Sequence, residues 1–355
     1  MRTIDILDGG MFTTVQDLGR VGYQRYGVAV SGAMDGFALR AANRLVGNAD
    51  TAAGLEVTFV GPELRFVQPG LVAVTGANLG PQVDGRPIQM WRTVAIRAGS
   101  VLSFSGQRDG MRAYLAMDGG IDVPVVLGSR STSTRTGHGG YEGRALRAGD
   151  TLPLGEQALA GAAMRRALRT SDIPSYGHDQ SVRVVFGPQD GAFADAGRST
   201  FLGSPYTMTP QSDRIGCRFD GPRIAHMTSA DIVSDGTTLG AVQVSGDGCP
   251  IVLMADRGTT GGYTKIATVI SVDIWRLAQA APGDRVRFER VDLEEACRLL
   301  RAEEAVLDAI LTPAVKMTAM PLEDVYDEDA GSGLAAEGFG DLADAIDQTG
   351  RGRDQ

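Results

Sequence analysis

The chain has 355 residues, 43% of them hydrophobic and 22% charged, with 48 glycines, three cysteines and a formal net charge of −9. That length exceeds the usual single domain and points to two, while so much glycine argues against a helix-dominated protein and for many turns joining short strands. The acidic balance argues against nucleic acid or an anionic membrane as a partner and is explained by simple solubility.

From the amino terminus, residues 1–7 alternate polar and apolar side chains and lack the apolar core of a signal peptide. Residues 13–35 hold polar groups between glycines, in Thr-Thr-Val-Gln-Asp-Leu-Gly-Arg at 13–20 and Ser-Gly-Ala-Met-Asp at 31–35, and read as a long loop of the kind that carries function. A helix follows at 36–46, its face formed by Phe37, Leu39, Ala41, Ala42, Leu45 and Val46; before it, Asp35 suits a helix cap as well as it suits catalysis. Period-two alternation then predicts strands at 71–75, 101–104 and 112–116. Between 156 and 180 the composition turns to Ala, Arg and Ser, interrupted by Pro174 and Gly177, which places a linker there and a domain boundary near 170.

A strand resumes at 182–186, and an apolar run at 250–255 leads into Asp256-Arg257 and a hydroxyl- and glycine-rich turn at 258–263. Such a strand end exposes backbone N–H donors beside polar side chains. A last strand lies at 286–288 and a second helix at 293–311. The turns Arg-Ala-Gly-Ser at 97–100, Arg-Ala-Gly-Asp at 147–150 and Ala-Pro-Gly-Asp at 281–284 each launch an alternating segment, the last two closing related β domains. Beyond 318 the chain is acidic and rich in Gly and Ala, which predicts a flexible tail in preference to a short partner-binding helix at 342–346. The class that results is mainly β with short helices. No run approaches the roughly 18–20 apolar residues of a membrane helix. Cys217, Cys249 and Cys297 form neither a zinc pattern nor a disulfide framework, so a cytoplasmic protein is expected.

Familiar catalytic patterns fail. His138, His178 and His226 stand far apart and predict no metal site, although glycines flank His138. No Gly-x-Ser-x-Gly elbow occurs. The stretch 258–265 has glycines, hydroxyls and Lys265 but lacks the Lys-Ser/Thr pair of a phosphate loop, so ATP, where used, binds another chain. Ala314-Val315-Lys316-Met317 looks like a biotin-acceptor tetrapeptide, but a helix precedes it and an acidic tail follows, where an acceptor needs a hairpin in a small β domain.

The segments at 13–20 and 31–35, together with Ala-Asn-Arg-Leu-Val-Gly-Asn at 42–48, Gly-Gly-Ile-Asp-Val-Pro at 119–124, Leu-Gly-Ser-Arg-Ser-Thr at 127–132, Gln-Ser-Asp-Arg-Ile-Gly at 211–216 and Thr-Thr-Gly-Gly-Tyr at 259–263, resemble the KipA-like family. That family includes the C subunit of 5-oxoprolinase, allophanate hydrolase subunit 2 and part of the biotin-dependent carboxyltransferase region of urea carboxylase. The resemblance implies two cyclophilin-like β-barrel domains, at 1–165 and 181–291, joined by a linker at 166–180 and followed by a helix at 292–317 and the tail at 318–355. It also implies a KipI-like partner, the B subunit of 5-oxoprolinase or subunit 1 of allophanate hydrolase, with a lactam-utilisation-like protein joining them as the A subunit of 5-oxoprolinase. The implied reaction is ATP-dependent opening of 5-oxoproline to L-glutamate. Two alternatives are transfer of a carboxyl group from biotin carried on a partner, and non-enzymatic regulation of a KipI-like protein. No cofactor is expected to be covalently bound to this chain.

Both reactions develop negative charge on an amide or carbamate oxygen and handle anions, which favours arginine and fixed donors. Asp213, Arg214, Gln243, Asp256 and Arg257 are therefore the expected catalytic residues, with Arg214, Arg257 and Arg130 as anion binders and the aspartates as their orienters or as bases. Gln16, Asp17, Arg20, Ser31, Asp35, Arg130, Ser131, Ser212, Thr259, Thr260, Gly261, Gly262 and Tyr263 are the expected substrate-binding residues. For each one the structural alternative is an ion pair or a turn. Relatives often read Gln-Val-Pro-x-x-Gly-Gln-Pro-Ile where this chain has Ser245 and Cys249 at the proline and the second glutamine, and Gly258 replaces another common glutamine. Losing side-chain amides beside a site alters which polar groups it recognises.

Overall fold

Alternating side chains and glycine turns build the first half from β1 (Arg2–Asp8), β2 (Phe12–Gln16), α1 (Gly36–Leu45), β3 (Gly54–Thr58), β4 (Glu63–Phe66), β5 (Gly70–Asn78), β6 (Pro81–Val83), β7 (Arg86–Pro87), β8 (Val94–Ile96), β9 (Val101–Phe104), β10 (Asp109–Met117) and β11 (Thr151–Leu154). The second half comprises β12 (Asp179–Phe186), α2 (Asp195–Gly203), β13 (Pro205–Met208), β14 (Gly216–Asp220), β15 (Asp231–Gly236), β16 (Ala241–Val244), β17 (Pro250–Leu253), β18 (Thr260–Val269), α3 (Ile274–Gln279) and β19 (Arg285–Arg290), and α4 (Leu293–Leu311) follows. This computed structural model describes residues 2–156 and 166–311, so the expected tail, the 342–346 segment and Lys316 lie outside the described residues.

In the first half, a sheet ordered β11-β1-β4-β9-β6-β7 faces one ordered β2-β3-β10-β5-β8. Between them lies a core that includes Ile4, Leu55, Leu64, Val74, Leu102 and Leu115. The continuous apolar run at 71–75 follows from burial of β5 on both faces: Val72 and Val74 join that core, while Leu71 and Ala73 join a second cluster beneath α1. In the second half the order is β12-β19-β13-β14-β17-β16-β18-β15, and pairing of β12 with β18 closes seven of these strands into a ring with β15 outside it. Val182, Phe219, Val242, Val252, Ile266 and Phe288 fill this barrel.

The three echoing turns behave alike. Gly99, Gly149 and Gly283 have φ of 82°, 91° and 98°, and the following residue's N–H returns to Arg97, Arg147 or Ala281 at 3.2, 3.2 and 3.0 Å. A third-position residue with positive φ is what such a turn requires, hence glycine.

Helices α2 and α3 were not legible: α2 buries only Gly197 and Phe201 and so lacks an apolar stripe, and α3, at six residues, is too short to display a period. Two local expectations are corrected. The apolar run at 250–255 leaves the sheet after Leu253. The 166–180 stretch is tied down at both ends: Thr93 N–H bonds to Arg166 O and Leu168 N–H to Trp91 O, each at 2.9 Å, and β12 already begins at Asp179. The chain finally returns to the first half, where Leu307 and Ile310 of α4 are buried in the α1 cluster and Arg40 and Arg44 of α1 pair with Glu304 and Asp308.

Candidate functional site

In a strand, residues two apart share a face, so neighbouring strands in register can line a common hollow. Gly216 and Arg218 of β14, Ile251 and Leu253 of β17, and Gln243 on β16 with Ser245 just beyond it form such rows, the register pairing Arg218 with Ile251 and Ile251 with Gln243. Together with Asp213, Ile215, Gly258, Thr260 and Tyr263 they line a cavity of about 320 Å³. Among these is Gln243, only 6% exposed, whose side-chain N–H donors have no partner among the described residues. Gly261 makes room for this amide, since a Cβ there would stand 2.4 Å from Gln243 Nε2.

The remaining expected residues of this half divide by what they already hold. Asp213 accepts the N–H groups of Ile215 and Gly216 at 2.8 and 3.1 Å and so shapes its own turn. Ser212 Oγ accepts the Arg218 N–H at 3.0 Å. Arg214 is committed between the halves: it bonds Asp256 at 2.8 Å, Gly32 O at 2.7 Å and Glu56. Burial opposes its charge, but Glu56 and Asp256 outweigh burial and hold its pKa above the ordinary value. Arg257 is the reverse case, 7% exposed, with Nη1 on Met254 O and Nε unpartnered among the described residues. Burial alone lowers its pKa. The Gly258 and Thr259 carbonyls are held by Thr237, through its hydroxyl and its N–H. Thr260 and Tyr263 are exposed at the rim, with Gly261 and Gly262 between them on β18. Lys265 pairs with Asp235 at 2.9 Å and is not a free phosphate ligand.

The first half contributes a separate polar cluster. Asp17 accepts four hydrogen bonds, from Gly19 N, Ser129 Oγ, Arg130 N and Ser131 Oγ, at 2.8, 2.6, 2.6 and 2.5 Å, and thereby fastens the 127–132 loop to the end of β2. Arg130 spends its guanidinium on Val123 O and Asp122. Arg20 is fully buried, bonds Ser131 O through Nη2, and leaves Nε and Nη1 unpartnered among the described residues. Burial lowers its pKa while the charges of Asp17 and Asp256 raise it, so this arginine of the first half feels the residue beside Arg257. Gln16 Oε1 and Ser31 Oγ are also buried without partners, and Ser31 has a left-handed φ of 56°. Unpaired buried polar atoms are costly, so their concentration on the expected segments marks sites for water or ligand. Asp35 is the helix cap: it accepts Ala38 N–H and Gln279 Nε2, each at 2.9 Å.

Sequence reasoning did not find Glu56, Tyr114, Gln279, Thr237 or Arg218, and named Ser245 only as a departure from the relatives beside the expected site. Glu56 is fully buried, accepting Met34 N–H at 2.8 Å and the Tyr114 hydroxyl at 2.7 Å as well as Arg214. A lone charge inside the apolar strand Leu55-Glu56-Val57 was its only signal. Arg218 and Ser245 were within reach of the period-two rule, lying two residues from Gly216 and Gln243. Of the positions where this chain departs from its relatives, Ser245 and Gly258 line the cavity, and Cys249 is buried beside Arg223. Among the described residues no His/Cys/Asp/Glu group could hold a metal ion, and no helix is long and apolar enough to cross a membrane.

Comparison with known proteins adds four findings. The family described as carboxyltransferase domain, subdomain A and B, matches residues 26–290. The chain is 37% identical over 307 residues to the C subunit of 5-oxoprolinase from Escherichia coli (strain K12), covering 86% of this chain and 97% of that one. It is 32% identical over 329 residues to the urea amidolyase of Lachancea kluyveri, covering 86% of this chain and 18% of that one. The crystal structure of the K. lactis urea amidolyase superposes with a TM-score of 0.82 at 30% identity, over 89% of this chain and 20% of that chain. The chain thus spans about a fifth of the urea amidolyases it matches.

Proposed function

The chain belongs to the carboxyltransferase domain family, subdomain A and B, and from that membership we propose that it is one component of an ATP-dependent 5-oxoprolinase-like complex. The complex opens 5-oxoproline to L-glutamate, with a KipI-like protein and a lactam-utilisation-like protein as its other two components. The observation that carries this reading is the Gln243 carboxamide, buried in the cavity wall with N–H donors that have no partner among the described residues. An amide of this kind complements the paired N–H and C=O of a lactam. Ile215, Ile251 and Leu253 supply an apolar surface for the ring, and Arg218, without an ion pair among the described residues, supplies a cation at the wall for the substrate carboxylate.

Ring opening adds water across the lactam C–N bond. The water oxygen bonds the carbonyl carbon, the C–N bond breaks, and nitrogen ends with the proton. In this chain Arg218 holds the carboxylate of the lactam, while Gln243 orients the ring and offers an N–H, unpartnered among the described residues, to the oxygen on which charge develops. ATP is consumed by the assembled complex and bound by a partner.

Assay of glutamate from 5-oxoproline by the three-component complex, with and without ATP, tests the reading. ATP-dependent glutamate is expected, with Gln243→Ala lowering kcat/KM roughly 10–100-fold, the worth of one or two lost hydrogen bonds. Gly261→Ala, whose Cβ would occupy the space of the Gln243 amide, is expected to act similarly while the complex still assembles. An intact complex that makes no glutamate but carboxylates urea from carboxybiotin would replace this reading with the carboxyltransferase one. Tight partner binding with neither reaction would favour the regulatory role.

A further inference from the structure

A second cleft, of about 500 Å³, shares no residue with the cavity around Gln243. It lies where the ends of β5 and β6 and the loop before β8 meet the crossing segment at 173–176. Pro81, Pro87, Met90, Trp91, Pro174 and Tyr176 line it with flat or apolar surface. Trp91 is unusual in its backbone: a bulky residue at φ 59° costs about 1–3 kcal/mol, and such strain persists where the surroundings impose it. Here the Trp91 amide bonds Val74 O and its carbonyl accepts Leu168 N–H, at 2.8 and 2.9 Å, fixing this residue in the cleft wall, while the residue is 5% exposed and its indole packs on Phe37.

The polar groups of the cleft are chiefly donors. Asn78 and Gln89 use their side-chain oxygens to accept Gly80 N–H and Arg92, which leaves their amide N–H groups without partners among the described residues. Arg108 has no ion pair among the described residues, its one side-chain contact being a long 3.4 Å bond to Ser105 Oγ. Asp109 is the opposing charge, but burial raises its pKa, and its carboxyl is occupied by the backbone amides of Gly110 and Tyr176. Flat apolar walls combined with unspent donors and a free guanidinium recognise a planar ring bearing an anion.

We propose that this cleft is a second ligand site, for a small aromatic compound carrying an anionic group, with the ring against the wall formed by Pro81, Pro87, Pro174 and Tyr176 and the anion on Arg108. The site is independent of the reaction proposed above, since it uses none of the same residues. The probe is 1-anilinonaphthalene-8-sulfonate, a planar aromatic anion, titrated into the full chain and followed by its own emission and by energy transfer from tryptophan. Saturable binding of one equivalent is expected. Arg108→Gln, a change at an exposed side chain, should weaken it about fivefold or more, the scale of one charge-assisted contact at a wet rim. Trp91→Phe should lower the energy transfer, the remainder coming from Trp275, which packs 5.6 Å from Tyr176 of the same cleft, and Gln243→Ala, in the other cavity, should leave binding unchanged. Absence of saturable binding, or binding that neither Arg108→Gln nor Trp91→Phe alters, would overturn the proposal, as would loss of binding in Gln243→Ala.

Discussion

A guanidinium is available to a ligand only if nothing inside the protein has claimed it, and this separates Arg214 from Arg257. Both were legible as cations beside aspartates; which one was spent depended on Glu56, more than 150 positions away in the chain. Glu56→Ala would leave Arg214 half-compensated and strand the Tyr114 hydroxyl and Met34 N–H. It should cost about 3–5 kcal/mol in denaturant unfolding, with Glu56→Gln markedly milder; a loss under about 1 kcal/mol would mean that Asp256 alone suffices. Asp35 yields a pH prediction. Burial pushes its pKa up to about 6 from 3.8, so it binds its proton more tightly folded than unfolded. Its stabilising contribution is therefore complete below about pH 4 and is lost as pH rises through about 6, on the order of 2–3 kcal/mol in all. Asp35→Asn, which keeps a cap acceptor, should lose correspondingly less stability than the parent between about pH 4 and pH 7. Equal losses in both proteins would show that Asp35 titrates normally. Its place just before a helix suits Asp35 equally to capping and to catalysis; only its bonds to Ala38 and Gln279 decide for the cap.

The helices α1 and α4 and the strands β9, β12 and β19 were readable because each buries a regular face, and β5 and β10 because each is an apolar run buried on both faces. Helices α2 and α3 were not, because one buries too little and the other is too short. How α4 is held separates two forces. Leu307 is fully buried against the α1 cluster, whereas Glu304 is 41% exposed in its bidentate pair with Arg40. Leu307→Ala should therefore cost about 2–5 kcal/mol and Glu304→Gln less than about 1 kcal/mol, measured by denaturant unfolding. The opposite ranking would make the docking of α4 electrostatic. The cavity also belongs to this scale, since its walls are residues two apart on β14 and β17 brought level by register. The period identifies which residues share a face, but register and ring closure identify which faces meet.

Across the whole molecule, the two β halves are joined by a polar seam. Gln279 of α3 accepts Met111 and Arg112 N–H at 3.1 and 2.9 Å and donates to Asp35, and Arg214 reaches Glu56 and Gly32. We propose that the 166–180 stretch is the boundary between two domains whose unfolding this seam couples. Trp91 and Trp275, one in each half, are the chain's two tryptophans, so Trp275→Phe and Trp91→Phe variants report the halves separately. Their unfolding midpoints should coincide, and adding Gln279→Ala should separate them; coincidence after that change would mean that apolar contacts alone couple the halves. By itself the sequence determined the mainly β class, the principal strands and helices, the glycine turns, and the segments on which unpaired polar groups concentrate, because these follow from local periodicity, backbone sterics and side-chain chemistry. Only the tertiary structure decided that Gln243 Nε2 and Arg257 Nε have no partner among the described residues while Arg214, Arg130 and Asp17 are spent, because a charge is satisfied by whatever the folded chain brings within about 3 Å of it, and that partner has no fixed distance in sequence.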